Sequence, residues 1–265
     1  MKSYATVLIP SYNPGNYLRK AVDSVFKQTY KKWKLIIVDD ASTDNSLSTI
    51  KDRLKDPRVT LIRNPINVGQ SKTQNEGLKY VDTPFLLMLD SDDWLFRDTL
   101  QILVNESKRV SDDVALIYGN KRIIYEDKDG KIIDERTEEY GRDFDDKYEF
   151  ILANYVPYPR FYRTAALRHV GGWPTDDPYE GRYLEDQRMD HRLIEHFKIH
   201  WIDYMLYNYR RHSSNMSSNL ALMNEMYEWL VLDSLKRWGD HYQPVFEYSY
   251  GWLMLKKLIP KIIED

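Results

Sequence analysis

Cysteine is absent from the 265 residues, which excludes a disulfide framework and thiolate metal sites and fits a reducing compartment. A basic surplus is missing too. The formal net charge of −3 argues against a general nucleic-acid binder, so no nucleic acid is expected as a partner. No apolar run approaches the ~20 residues of a membrane-spanning helix. The first residues, "MKSYATVLIPSYNPG", hold an apolar stretch too short for a signal peptide and broken by Pro10. These absences lead to the expectation of a cytoplasmic protein, with peripheral contact at a membrane left open. What is present is 42% hydrophobic and 30% charged, the balance of an ordinary globular chain. Its length suits one large α/β domain or a core with an appendage. Aromatics are plentiful, with 21 Tyr and 7 Trp. They can line a cleft for sugar rings or simply fill the core.

The first 120 residues alternate between two periodicities. "YATVLI" (Tyr4–Ile9), "KLIIVD" (Lys34–Asp39), "RVTLI" (Arg58–Ile62), "FLLML" (Phe85–Leu89) and "VALIY" (Val114–Tyr118) read as strands, most of them buried on both faces. Leu18, Ala21, Val22, Val25 and Phe26 fall on one helical face. Residues 43–54, 69–80 and 97–110 also read as helices. This alternation predicts a mostly parallel sheet with ligands beyond the carboxyl ends of its strands. From Lys121 the rhythm changes to a hairpin, "RIIYED" and "KIIDER", turning at Asp129-Gly130. A helix is expected from about Asp145 to Ala153, another near Tyr183, and a strand at "IHWIDY" (Ile199–Tyr204). The last 45 residues read as a helical tail in two pieces, broken around Gly239 to Pro244. The expected division is a nucleotide half over 1–120, a catalytic and acceptor half of the same domain over 121–219, and the tail over 220–265.

Three strands end in polar residues suited to chemistry: "PSYNPG" (Pro10–Gly15), "DDASTD" (Asp39–Asp44) and "DSDD" (Asp90–Asp93). Each has an ordinary structural reading. Ser42 or Thr43 can cap a helix, and so can Asp92 or Asp93. Capping does not explain three carboxylates within four residues at one strand end. An EF-hand is excluded because Leu95 stands where its turn needs Gly. Glycine-rich phosphate loops are absent from "PSYNPG". Two carboxylates in an Asp-x-Asp at a strand end face the same side, and their oxygens suit Mn²⁺ or Mg²⁺ shared with phosphate.

In this order and spacing, "VLIPSYN", "IIVDDASTDNS", "NPINVGQSKTQNEGL" and "LMLDSDD" resemble the inverting glycosyltransferases of family 2. The likeness continues through "GGW" and "LEDQRMDHRL" to "YRRH". It implies an α/β GT-A (Rossmann-like) fold, with a central sheet flanked by helices, and a nucleotide-sugar donor, UDP-linked by expectation. It also implies that Pro10, Ser11 and Tyr12 border the base, that Asp40 meets its ring edge with Asp39 in support, and that Asp90 and Ser91 meet the ribose or sugar. Asp92 would ligate the metal, while Asp93 and Trp94 would shape the acceptor side. Asn75 matches the family pattern. Gln74 stands where many relatives carry Arg, so Lys72 becomes a candidate cation for the donor.

"YLEDQRMDHRL" resembles the family's Glu-Asp motif. Asp186 is assigned as the base that takes the acceptor hydroxyl's proton, and Glu185 as the runner-up or acceptor-orienting group. The plain alternative is an acidic helix N-terminus. Arg211 and His212 would close over the pyrophosphate, with His212 completing the metal shell. Gly171 and Gly172 would admit the acceptor and Trp173 would stack on it; otherwise they form a tight turn with an aromatic anchor. The acceptor would be a glycan, a glycolipid or another hydroxyl. The tail packs on the core by default, with oligomerisation or membrane docking as alternatives. Two other functions stay open: a sugar-nucleotide pyrophosphorylase, and a non-catalytic carbohydrate-binding protein of the same fold.

Overall fold

The computed structural model describes residues 3–212 and 219–262. The strands are β1 (Ala5–Ser11), β2 (Trp33–Asp39), β3 (Val59–Arg63), β4 (Phe85–Met88), β5 (Trp94–Leu95), β6 (Val114–Glu126), β7 (Ile132–Glu138), β8 (Tyr158–Arg163), β9 (Lys198–Arg211), β10 (Tyr242–Ser249) and β11 (Trp252–Pro260). The helices are α1 (Tyr17–Phe26), α2 (Ser46–Thr49), α3 (Gln70–Leu78), α4 (Thr99–Glu106), α5 (Lys147–Leu152), α6 (Thr164–His169), α7 (Glu185–Leu193) and α8 (Leu220–Arg237).

One sheet runs β3-β2-β1-β4-β8-β6-β9-β5, with β7 added to β6. Its first four strands are parallel. Alternate residues of each strand feed opposite faces, as the two-residue period requires. Val7, Ile9, Leu35 and Ile37 pack beneath α1 and α4 on one side. Leu8, Ile36, Val38, Leu86 and Met88 pack with α6, α7 and α8 on the other. This is a parallel half covered on both faces, which explains its near-continuous apolar runs. On the second face α3 comes close because Gly77 has no side chain: a Cβ there would stand 2.4 Å from Leu8 Cδ1.

Beyond β4 the pairing is mixed. β8 enters antiparallel between β4 and β6, so "VALIY" at the start of β6 does not pair with β4. β6 pairs parallel with the long β9 and runs straight through residue 120. The expected Asp129-Gly130 hairpin is present as β6–β7. Residues 43–54 form only the single turn α2 and a 3₁₀ turn at Arg53–Lys55, not a full helix.

The tail departs from expectation. Its first piece is helix α8, but its second is the antiparallel hairpin β10–β11. Tyr250 and Gly251 form the two-residue turn, with φ of 49° and 85°. Positive φ at both positions is the hairpin-turn geometry that glycine favours. Asn154 and Asn224 bind the hairpin to the body: Asn154 Oδ1 accepts from Leu255 N at 3.1 Å, and Asn224 Oδ1 accepts from Leu253 N at 2.9 Å. No helix among the described residues is long and apolar enough to cross a membrane.

Candidate active site

A cleft of about 1120 Å³ opens over the carboxyl ends of β1 and β4, where open α/β sheets place their ligands. Pro10 and the half-exposed Tyr12 line one side. The loops after β1 and β2 are laced together here. Gly15 N donates to Asp44 Oδ2 at 2.7 Å, and Thr43 N donates to Asn13 Oδ1 at 2.8 Å.

Residues 89–93 carry the chain from β4 in the middle of the sheet to β5 at its edge, so the acidic stretch is drawn across the strand ends. Asp90, Ser91 and Asp92 line the cleft. None of the acidic residues caps a helix, because the chain continues into β5 and α4 begins only at Thr99. Asp93 is buried, and its Oδ1 accepts from Arg210 N at 2.7 Å. Arg210 Nε in turn donates to Asp92 O at 2.7 Å, and its guanidinium pairs with Glu126 in the interior. The expected acceptor-side role of Asp93 is thereby corrected: this carboxylate fixes the neighbouring strand. Trp94 also faces away from the cleft, into a separate groove, with Lys20 Nζ 3.3 Å from its ring centroid.

Asp92 Oδ2 lies 3.1 Å from His212 Nε2, and both residues line the cleft. The His212 ring sits 4.9 Å from that of Tyr17. Arg211 lines the same side. The "SSNMSS" stretch at 213–218 lies outside the described residues.

Helix α7 brings the second acidic pair. Leu184, at φ 49°, turns the chain so that Glu185 and Asp186 open the helix at the cleft wall. The helix N-terminus favours negative charge there. Between the two acidic groups stands Arg160 on β8, a buried residue outside every motif read from the sequence. Its Nη1 donates to Asp186 Oδ2 and its Nη2 donates to Asp90 Oδ2 at 3.1 Å. "YPRFY" did carry a signal, an Arg inside an otherwise aromatic strand, since a buried guanidinium needs carboxylate partners. Burial pushes the Asp90 carboxyl above its ordinary value, although Arg160 pulls the other way. Glu185 is pushed up to about 8 by burial, with the negative charge of Asp186 adding to the effect. Tyr158, Tyr183, Tyr209 and Lys121 also line the cleft, as do Met223 and Tyr227 of α8 and Trp252 to Met254 of β11, and no sequence motif marked them.

Several expected donor contacts are absent from the cleft. Ser11 is buried beneath it. Asp39 accepts from Ser42 N at 3.2 Å and from Arg63 Nε at 3.1 Å. Asp40 accepts from Asn64 Nδ2, Val68 N and Gly69 N at 2.8–2.9 Å. Both carboxylates hold loops, and a ring-edge contact is not open to Asp40 in this arrangement. Lys72 pairs with Glu180 at the surface rather than facing the donor side. Asn75 clamps the backbone of Trp173 through two hydrogen bonds of 2.7 and 2.8 Å. Trp173 itself is buried against Tyr162, and a Cβ on Gly172 would strike Asn75. The turn-and-anchor reading of "GGW" is therefore the correct one, and acceptor stacking by Trp173 is not. Gln74 faces Glu185, with Nε2 3.4 Å from Oε1.

Residues 6–171 match the family model described as "Glycosyl transferase family 2". The chain belongs to glycosyl transferase family 2. Among family relatives it is 33% identical over 119 residues to the UDP-Glc:alpha-D-GlcNAc-diphosphoundecaprenol beta-1,3-glucosyltransferase WfgD of Escherichia coli, covering 45% of this chain and 46% of that one. It is 26% identical over 258 residues to hyaluronan synthase of Pasteurella multocida, covering 92% of this chain and 24% of that protein. The chain thus spans about half of the first relative and a quarter of the second. In fold it is similar to S. aureus TarS 1-349 solved in complex with UDP-GlcNAc, with a TM-score of 0.68 at 20% identity, covering 89% of this chain and 67% of that one. This likeness supports the expected GT-A fold of the family.

Proposed function

We propose that the protein is an inverting glycosyltransferase that moves a sugar from a nucleotide-diphosphate donor, UDP-linked, to an acceptor hydroxyl on a glycan or lipid-linked glycan. One observation carries this reading: a single cleft holds Asp92 with His212 on one side and Asp186 on the other. The complex of TarS with UDP-GlcNAc supports the choice of donor. The names of the E. coli and P. multocida relatives support the class of acceptor.

The donor set of Asp92 and His212 fits Mn²⁺ or Mg²⁺, with one carboxylate oxygen and one imidazole nitrogen on the cleft wall. Among the described residues no group of three or more His, Asp or Glu could hold a metal alone. The other positions would fall to diphosphate oxygens and water. Such an ion would neutralise negative charge developing on the departing nucleotide.

Asp186 receives the acceptor's proton as that oxygen forms its bond to the anomeric carbon. The bond from that carbon to the phosphate oxygen breaks, and its electron pair leaves on the nucleoside diphosphate. Arg160 holds the Asp186 carboxylate in place through Oδ2. Tyr12 and Pro10 border the base. Tyr158, Tyr183 and Tyr209 offer aromatic faces to sugar rings.

Calorimetry of UDP with Mn²⁺, together with a transfer assay using a nucleotide-sugar panel, tests the assignment on Asp186→Asn. This variant should bind UDP like the wild type and lose transfer. Retained transfer in Asp186→Asn would remove Asp186 as the base.

A further inference from the structure

Three carboxylates, those of Asp90, Glu185 and Asp186, surround one guanidinium. Arg160 contacts Asp90 and Asp186 with its two terminal nitrogens. Glu185 is 7% exposed and makes no such contact. The charged groups acting on it are Asp186 from its own helix, Arg160 from β8 and Asp90 from the turn after β4. From α3 it meets an uncharged residue, Gln74, itself 1% exposed. The one hydrogen bond between them is long, 3.4 Å from Nε2 to Oε1, and Gln74 Oε1 is buried with no partner. An ionised carboxylate buried with only its own backbone N–H and this long amide contact as neutral partners is costly, and so is an orphaned amide oxygen. Both costs are relieved if the carboxyl carries a proton and the amide turns its oxygen toward it.

We propose that Gln74 and Glu185 form a charge-neutral pair, with Glu185 a carboxylic acid whose O–H donates to Gln74 Oε1, so that the helix opening at α7 carries no negative charge at Glu185. Gln74 is then a positioning residue. It offers an acceptor for the acid proton and no charge that would ionise Glu185. The effect is to keep a second negative charge away from the base. Burial and the neighbouring Asp186 charge push Glu185 up to about 8, in agreement with the geometry. The catalytic meaning of the pair rests on the reading of Asp186 as base, but its protonation state does not.

Infrared difference spectra of the whole chain, recorded without substrate from about pH 6 to about pH 10, follow the carbonyl stretch of protonated carboxyls. The wild type should show a band that titrates near 8 and is missing from Glu185→Gln. Gln74→Arg should lower that midpoint by supplying a cation. Gln74→Leu, a packing control that removes the amide, should raise it. Thermal melts confirm that each variant is folded. If Glu185→Gln leaves the band in place, or if both Gln74 variants leave its midpoint where it was, the proposal is overturned. Because these spectra need no turnover, failure of the pair and failure of the glycosyl-transfer reading are told apart.

Discussion

Arg160 ties Asp90 to Asp186, two carboxylates 96 positions apart in sequence, through its two terminal nitrogens. The turn after β4 and the start of α7 therefore share one buried cation at the cleft wall. Arg160→Ala would leave two half-buried carboxylates without their shared counter-charge. Removing one partner of such a network typically costs about 3–5 kcal/mol. Urea unfolding should show a loss of that size, and transfer should fall with it. Arg160→Lys should recover part of the stability but less of the transfer, since an ammonium cannot reproduce the two-pronged geometry.

Asp92 and His212 face each other at 3.1 Å. If they share a cation with the donor diphosphate, Asp92→Ala should weaken UDP binding in Mn²⁺ by about tenfold or more, near 1.4 kcal/mol. In chelator, wild type and variant should bind UDP alike. His212→Ala should show the same pattern with a smaller loss. Calorimetry with and without Mn²⁺ checks this, and unchanged metal-dependent binding in Asp92→Ala would remove it as a ligand.

Stability should vary with pH in two opposed directions. Glu185 keeps its proton up to about 8 in the fold but only to about 4.5 when unfolded. Between those values the folded chain binds the extra proton, so stability falls as pH rises. His191 is buried against Ser234 and held at about 3, against an ordinary 6.5. There the unfolded chain takes the extra proton, and stability falls as pH drops from 6.5 toward 3. Each arm amounts to a few kcal/mol, at ~1.4 kcal/mol for every pH unit that separates the folded from the unfolded pKa. Urea midpoints across pH should show both arms in the wild type, and Glu185→Gln should reduce the alkaline one, to which the buried and raised Asp93 and Asp190 also contribute, and leave the acid one unchanged.

Trp173 packs in the interior against Tyr162, held by the backbone clamp of Asn75. Trp173→Ala should cost about 3–5 kcal/mol, as for other large aromatic truncations. Where the variant stays folded, its KM for acceptor should match that of the wild type. A raised acceptor KM with unchanged melting would restore the stacking role.

The parallel strands, the α1 face and the acidic strand ends were legible because each depends on local periodicity. Gly251 with Tyr250 was the missed turn signal in the tail. Apolar residues at helical spacing masked two short strands whose pairing is decided by each other and by Asn154 and Asn224. The same limit applies to the site. Ordered motifs marked the residues that meet, but nothing in "NEGL", "GGW" or "VDDAS" says whether a polar group faces a ligand or its own backbone.

From the sequence alone followed the α/β class, the family resemblance and the concentration of carboxylates at the strand ends, all carried by residue type and spacing. Only the tertiary structure decided which carboxylates remain in the cleft. Asp39, Asp40 and Asp93 are turned onto the protein's own donors, while Asp92 and Asp186 line the opening. It also brought in Arg160, because a β8 residue reaches Asp90 and Asp186 only after β8 is inserted antiparallel beside β4. Long-range pairing of that kind leaves no periodic trace in the chain, and burial then forces the guanidinium and carboxylates together.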